Sequence, residues 1–182
     1  MKTLMSLVLL GSMTLLLPSC ALTPEKIDLV YTPASNAVVV EGAAGTELNV
    51  VVNDVRARTD RVASKVNGYG QEMAAISLNQ DVSKLVEDAL ELELRNRGFN
   101  VNGSGVQVVA EVYDFQNEFQ SGFWSGTALA SVRLNIKVRN ASGVYTFSEM
   151  IVGQGRKEKI QLATGKNAQP ALDEALRNAM KA

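Results

Sequence analysis

Histidine is absent from this chain of 182 residues, cysteine occurs once, at Cys20, and aromatic residues make up only 5%. Without histidine there is no Cys-His or Ser-His-Asp catalysis and no imidazole-ligated metal site, and a single cysteine excludes internal disulfides and multi-thiolate zinc. Neither sign of charge dominates: 18 basic side chains stand against 19 acidic ones. Lacking a basic excess, the chain lacks the electrostatic footprint of a nucleic-acid binder. Carboxylate pairs, Ser-Lys or Thr arrangements and oxygen-ligated calcium or magnesium remain, and none has a recognisable spacing here. No metal and no cofactor is expected, and no catalytic residue stands out.

What is present begins with a three-zone secretion signal over 1–19. Lys2 is the positive start, 4–17 is an apolar stretch broken only by Ser, Gly and Thr, and small residues follow. At about 14 residues the stretch falls short of the roughly 20 that a spanning helix needs. Leu17-Pro18-Ser19-Cys20 resembles the bacterial lipobox, which implies cleavage before Cys20 and a covalent lipid on its thiol. A buried or free cysteine is the plainer alternative, but signal, spacing and the solitude of Cys20 agree on lipidation. Ala21, rather than Asp, follows, which implies the outer membrane, facing the periplasm of a Gram-negative bacterium. The partners expected are therefore the membrane, through the lipid, and an envelope protein or the cell wall; the number of copies is left open.

Residues 20–45 read as a lipidated tether with an edge strand, carrying Pro24, Pro33 and two short apolar runs at 27–31 and 37–41. Residues 46–182 read as a single α+β domain. A β-branched run predicts a strand over 48–56, and the polar stretch to 71 is a loop or a second strand. Ser77 and Gln80 form a capping box for an amphipathic helix with Val82, Leu85, Val86, Ala89 and Leu92 on one face. Gly98 stops that helix. Three strands follow at 106–115, 127–139 and 144–152. In the middle one Ala128, Ala130, Val132, Leu134, Ile136 and Val138 alternate with polar residues, and 140–143 is turn chemistry for an antiparallel hairpin. A last helix begins between Asn167 and Pro170, with Leu172, Ala175, Leu176, Ala179 and Met180 on its apolar face. Strand, helix, three strands, helix predicts a two-layer α+β fold: an antiparallel or mixed sheet with two helices packed on one face.

Two clusters can bind. Asp54, Arg56, Arg58, Asp60 and Arg61 can take a charged envelope ligand, although an ion-paired surface loop is the plainer reading. The loop 118–126 holds Phe119, Phe123 and Trp124, the only Trp, which can form a binding hot spot; their folding back over the open end of the core is the favoured reading. Gly153-Gln154-Gly155-Arg156-Lys157 only faintly resembles a phosphate loop, lacking its Gly-Lys-Ser/Thr ending. Asp114 with Glu118 is a carboxylate pair of the kind a glycosidase uses.

The Val-Val-Asn-Asp-Val-Arg strand at 51–56, Arg58-Thr59-Asp60, the helix end 94–99 and the strand to Val112-Tyr113 together resemble the YajG-type lipoproteins of Gram-negative bacteria. The resemblance runs from about 48 to 180. It implies an outer-membrane-type lipoprotein without an established activity and transfers one residue, Cys20, as the lipidation site. A non-enzymatic binding or scaffolding module follows. The alternatives are a carboxylate-based enzyme on wall material and a subunit of an oligomeric envelope or export assembly.

Overall fold

The computed structural model describes residues 22–33 and 37–182; the expected signal and Cys20 lie outside the described residues. In chain order the elements are β1 (Glu25–Ile27), a 3-10 turn (Ala43–Gly45), β2 (Glu47–Asp54), β3 (Ala63–Val66), β4 (Glu72–Leu78), α1 (Val82–Asn96) and β5 (Asn100–Val101). Then come β6 (Val106–Gln120), β7 (Gly126–Arg139), β8 (Tyr145–Ile160) and α2 (Gly165–Lys181). Five strands form a mixed sheet in the order β5-β2-β6-β7-β8, and three form a smaller sheet, β1-β4-β3. β2 runs parallel to β5 and β6, whereas β6–β7 and β7–β8 are antiparallel. A parallel β2–β6 pair requires a crossover, and α1 lies within it. The fold is α+β, as the pattern predicts; the small second sheet is an addition.

Alternation decides which face of the large sheet is covered. Leu48 and Val50 of β2, Val108, Ala110 and Val112 of β6, and Ala128, Ala130, Val132, Leu134 and Ile136 of β7 are all buried, on the face where α1 and α2 lie. The helices present the stripes read from the sequence: Val82, Leu85, Val86 and Ala89 from α1, and Leu172, Ala175, Leu176, Ala179 and Met180 from α2. Each fully buried leucine among them contributes about 2 kcal/mol. α1 ends in a Schellman motif, with Phe99 N–H donating to Leu94 O and Gly98 N–H to Arg95 O, both at 3.0 Å, and Gly98 at φ +95°.

Several boundaries differ from expectation, each for a physical reason. The capping box does not form: Ser77 lies in β4 opposite Lys26, and Gln80 donates its amide to Leu29 O at 2.8 Å. Asp81 is the N-cap, without a side-chain capping bond. β4, within 57–81, went unread as a strand because no clear alternation marks it. In 20–45 the edge strand is β1, not the 37–41 run, and Ile27 and Leu29 enter the core. Glu93, not Leu92, completes the buried face of α1, because it accepts a hydrogen bond from Tyr31 OH. α2 starts at Gly165, so Pro170 is interior. β6 and β8 run past their expected ends; Gly153 and Gly155, read as loop residues, lie within β8.

Candidate functional site

The polar cluster at the end of β2 is divided by the fold. Arg56 is almost fully buried, its side chain 5% exposed and that of its partner Asp54 19%. Its Nε and Nη2 donate to Asp54 Oδ1 and Oδ2 at 2.9 and 2.7 Å, and its Nη1 donates to the carbonyls of Arg61 and Phe115, both at 3.2 Å. β2 has ended there while β6 continues past a bulge between Val112 and Asp114, so the guanidinium satisfies a β6 carbonyl that β2 no longer reaches. Burial alone would raise the Asp54 carboxyl; the hydrogen bonds and charge of Arg56 outweigh it and hold the group below its ordinary value. Asp54 and Arg56 are thus an internal brace, which corrects the reading of the whole cluster as a surface loop. Arg58 does stay at the surface, forked onto Glu72 at 3.0 Å through both nitrogens, and Arg61 pairs with Asp60 at 2.6 Å.

Beside this brace, the loop after β2, β3 and the second half of β6 enclose a cavity of about 420 Å³. Asn117 on its wall is 4% exposed, and both polar atoms of its amide lack a partner among the described residues. Asp114 faces the same cavity; burial pushes its carboxyl above the ordinary value despite Arg133 at 3.7 Å. Glu118 stands four residues further along β6, which sets the two backbones about 13 Å apart at the usual strand rise. The charge of Glu118 also acts to raise the Asp114 carboxyl.

The aromatic loop behaves differently from expectation. Phe119 folds partly against the core, but Phe123 and Trp124 do not: they are 92% and 86% exposed at the tip of the β6–β7 hairpin. They stack edge to face on each other, ring centroids 4.9 Å apart. The two glycines of the loop explain why no fold-back occurs. A Cβ on Gly122 would lie 2.3 Å from Ser125 O and one on Gly126 2.8 Å from Gln120 O, so the chain closes tightly and throws the two rings outward.

A surface that sequence reasoning missed is the free edge of β8. Antiparallel strands turn both backbone polar groups of alternate residues to the same side. Arg156 N–H donates to Glu174 Oε2 and Gln154 O accepts from Asn178 Nδ2, both at 2.7 Å, so the even-numbered residues face away from β7 and α2 caps two of them. The register with β7 is unbroken from Lys157 back to Phe147. Ser148, Met150 and Val152 therefore point their N–H and C=O outward too, and among the described residues nothing caps them. Met150 and Val152 are 48% and 50% exposed, with Tyr145 and Phe147 exposed beside them. Glu174 and Asn178, four apart on one side of α2, were the signal; their partners on a strand are not visible in sequence.

The model of a family described as an uncharacterized lipoprotein matches residues 33–182. No curated protein matches the chain. Among solved structures, protein XCC0632 from Xanthomonas campestris, of family-model DUF330, is similar with a TM-score of 0.60 at 17% identity, over 87% of this chain and 90% of that one. A minor lipoprotein from Acinetobacter baumannii is similar with a TM-score of 0.42 at 10% identity, over 75% and 88%. At 17% identity the first likeness speaks for the fold alone. No helix among the described residues is long and apolar enough to cross a membrane. With 33–182 matched, the chain belongs to the YajG-type family of uncharacterized lipoproteins.

Proposed function

We propose that this chain is an outer-membrane lipoprotein, anchored through a lipid on Cys20 and facing the periplasm, whose domain is a non-enzymatic binding module that takes an extended segment of an envelope protein as an added strand on β8. The observation that carries the reading is the division of the β8 edge. Asn178 and Glu174 cap it at Gln154 and Arg156, while Ser148, Met150 and Val152 stay open among the described residues. An uncovered edge invites pairing, and proteins ordinarily blunt it. Here one half is blunted by the chain's own helix and the other half carries apolar side chains. In strand addition, main-chain hydrogen bonds supply affinity and alternate side chains supply selectivity; Met150 and Val152 are the selecting pair. The anchor is supported by the lipoprotein family and by Leu17-Pro18-Ser19-Cys20, and the outer-membrane address by Ala21.

The test is a photo-reactive residue at position 150 of the full-length chain in intact cells, with position 84, exposed on α1, as the comparison. One protein captured at 150 and not at 84 supports the reading. Its loss in Val152→Pro, which removes an outward N–H at an edge where proline is tolerated, ties the capture to strand addition. Capture of a second copy of this chain would make it a subunit of an oligomeric assembly instead. Equal capture at both positions, or none at 150, overturns the reading.

A further inference from the structure

We propose that Phe123 and Trp124 are a second membrane contact, inserted into the lipid surface to which Cys20 tethers the chain. The inference rests on the lipidation reading above and goes beyond it. Its basis is where the described chain begins. Leu22 lies two residues after Cys20 in the sequence, a reach of at most about 7 Å. The chain then enters β1 against the start of α2: a Cβ on Gly165 would lie 2.4 Å from Ile27 Cγ2 and 2.9 Å from Glu25 Oε1. α2 starts at Gly165, soon after Ile160 ends β8, and Ile160 pairs with Gly126, the last residue of the aromatic loop. The lipid-proximal chain and the two exposed rings thus sit at one end of the domain.

The chemistry at that end suits a bilayer surface. Aromatic rings, tryptophan above all, favour the headgroup level of a membrane, where an apolar body and a polar edge are both satisfied. Leu22 and Leu162 are exposed there as well, at 57% and 68%. Lys157, Lys159 and Lys166 are exposed at the same end, placed to meet lipid phosphates. Two adjacent aromatics almost wholly in water are an uncommon feature of a monomer surface, and a bilayer held within reach by the anchor covers them.

Trp124 is the only tryptophan, so its fluorescence reports this site alone. The full-length chain, processed in cells and purified, is reconstituted into vesicles of phosphatidylethanolamine and phosphatidylglycerol, with and without brominated acyl chains. Acylation is read by mass spectrometry, vesicle association by flotation. Acylated protein that floats, with Trp124 emission shifted to the blue, quenched by brominated lipid and shielded from acrylamide, supports the proposal. Acylated protein that floats with Trp124 still open to acrylamide and untouched by bromine overturns it and leaves the anchor standing. A Phe123→Ser variant that folds and floats is expected to regain acrylamide access at Trp124; unchanged lipid quenching there counts against the paired insertion. An unacylated mature chain that does not float overturns the anchor reading, and the present inference with it. A protein captured by a photo-reactive residue at position 123 in cells, with no lipid adduct, assigns the tip to a protein partner and overturns the membrane contact.

Discussion

Gly155 lies directly under Ala171: a Cβ on it would sit 2.0 Å from the Ala171 carbonyl oxygen and 2.6 Å from the Ala175 nitrogen. Gly153 repeats the relationship one turn on, 2.0 Å from Ala175 O and 2.4 Å from Ala179 N. Backbone meets backbone here, so no side chain can swing aside to admit a methyl group. Gly155→Ala must lift α2 from β8 and is expected to cost about 3 kcal/mol, the upper end of ordinary overpacking. Gly68→Ala, which meets nothing within 4 Å, serves as the comparison and should change stability by less than about 0.5 kcal/mol. Urea unfolding of both variants checks this; equal midpoints would show that α2 rides more loosely than the structure has it.

The same glycines show where the sequence was legible and where it was not. The face of α2 and the alternation of β7 follow from periodicity alone; the first holds at every residue and the second from Ala128 to Ile136, with Val138 only half-buried. A Gly-x-Gly within a polar stretch reads as a loop, because the helix that makes glycine necessary there lies some twenty residues further on. Arg56 escaped for a related reason: a charged residue two after an aspartate reads as solvated, and only the early end of β2 beside a longer β6 reveals the carbonyl it must satisfy. The exposure of Phe123 and Trp124 was likewise hidden, since composition does not say on which side of a tight glycine-bounded loop two rings will fall. The open edge of β8 depends on strand order, which no local pattern contains.

Asp54→Asn is expected to destabilise the domain by about 3–5 kcal/mol, because it leaves the guanidinium of Arg56 buried without its counter-charge. The pH dependence has a definite sign. Arg56 holds the folded-state carboxyl below its unfolded value, so the stabilisation is present above the unfolded value, about 3.9, and is lost as pH falls through the lower folded one. The wild-type chain should therefore shed stability in acid more steeply than Asp54→Asn. Parallel curves from denaturant unfolding between neutral and strongly acidic pH would sink the assignment.

Tyr31 fastens the chain after β1 to α1 through the carboxylate of buried Glu93. Tyr31→Phe removes the hydrogen bond to Glu93 Oε1, leaving Arg97 Nε at 3.9 Å from the other oxygen, and should cost about 1.5–3 kcal/mol, the range for a hydrogen bond to a charged group. Burial, with the bond to Glu93 and its charge, pushes the phenol well above its ordinary value. The contribution is thus complete below the unfolded value, near 10, and fades only as pH rises toward the folded one. Thermal unfolding of the variant at neutral pH should show the full loss, and wild-type stability should erode only in strong alkali. A neutral effect of Tyr31→Phe at pH 7 would mean that water replaces the hydroxyl.

Glu174 and Asn178 close the β8 edge at its C-terminal half, so removing them tests whether edge closure limits self-association. In Glu174→Ala with Asn178→Ala, the uncapped groups of Arg156 and Gln154 join those of Ser148, Met150 and Val152 into one continuous free edge. Each lost bond costs about 1 kcal/mol, somewhat more where the Glu174 carboxylate is the acceptor, so the domain still folds. The variant frees two further main-chain groups, Arg156 N–H and Gln154 O, and an apolar, uncovered edge is a template for another strand. Sedimentation velocity should show the double variant associating at concentrations where the parent chain stays as it was. Adding Val152→Lys, which places a charge on the open half, should reverse that association without restoring either cap. If the double variant sediments like its parent, the helix caps serve only to seat α2, and the contrast between the two halves of the edge has no bearing on pairing.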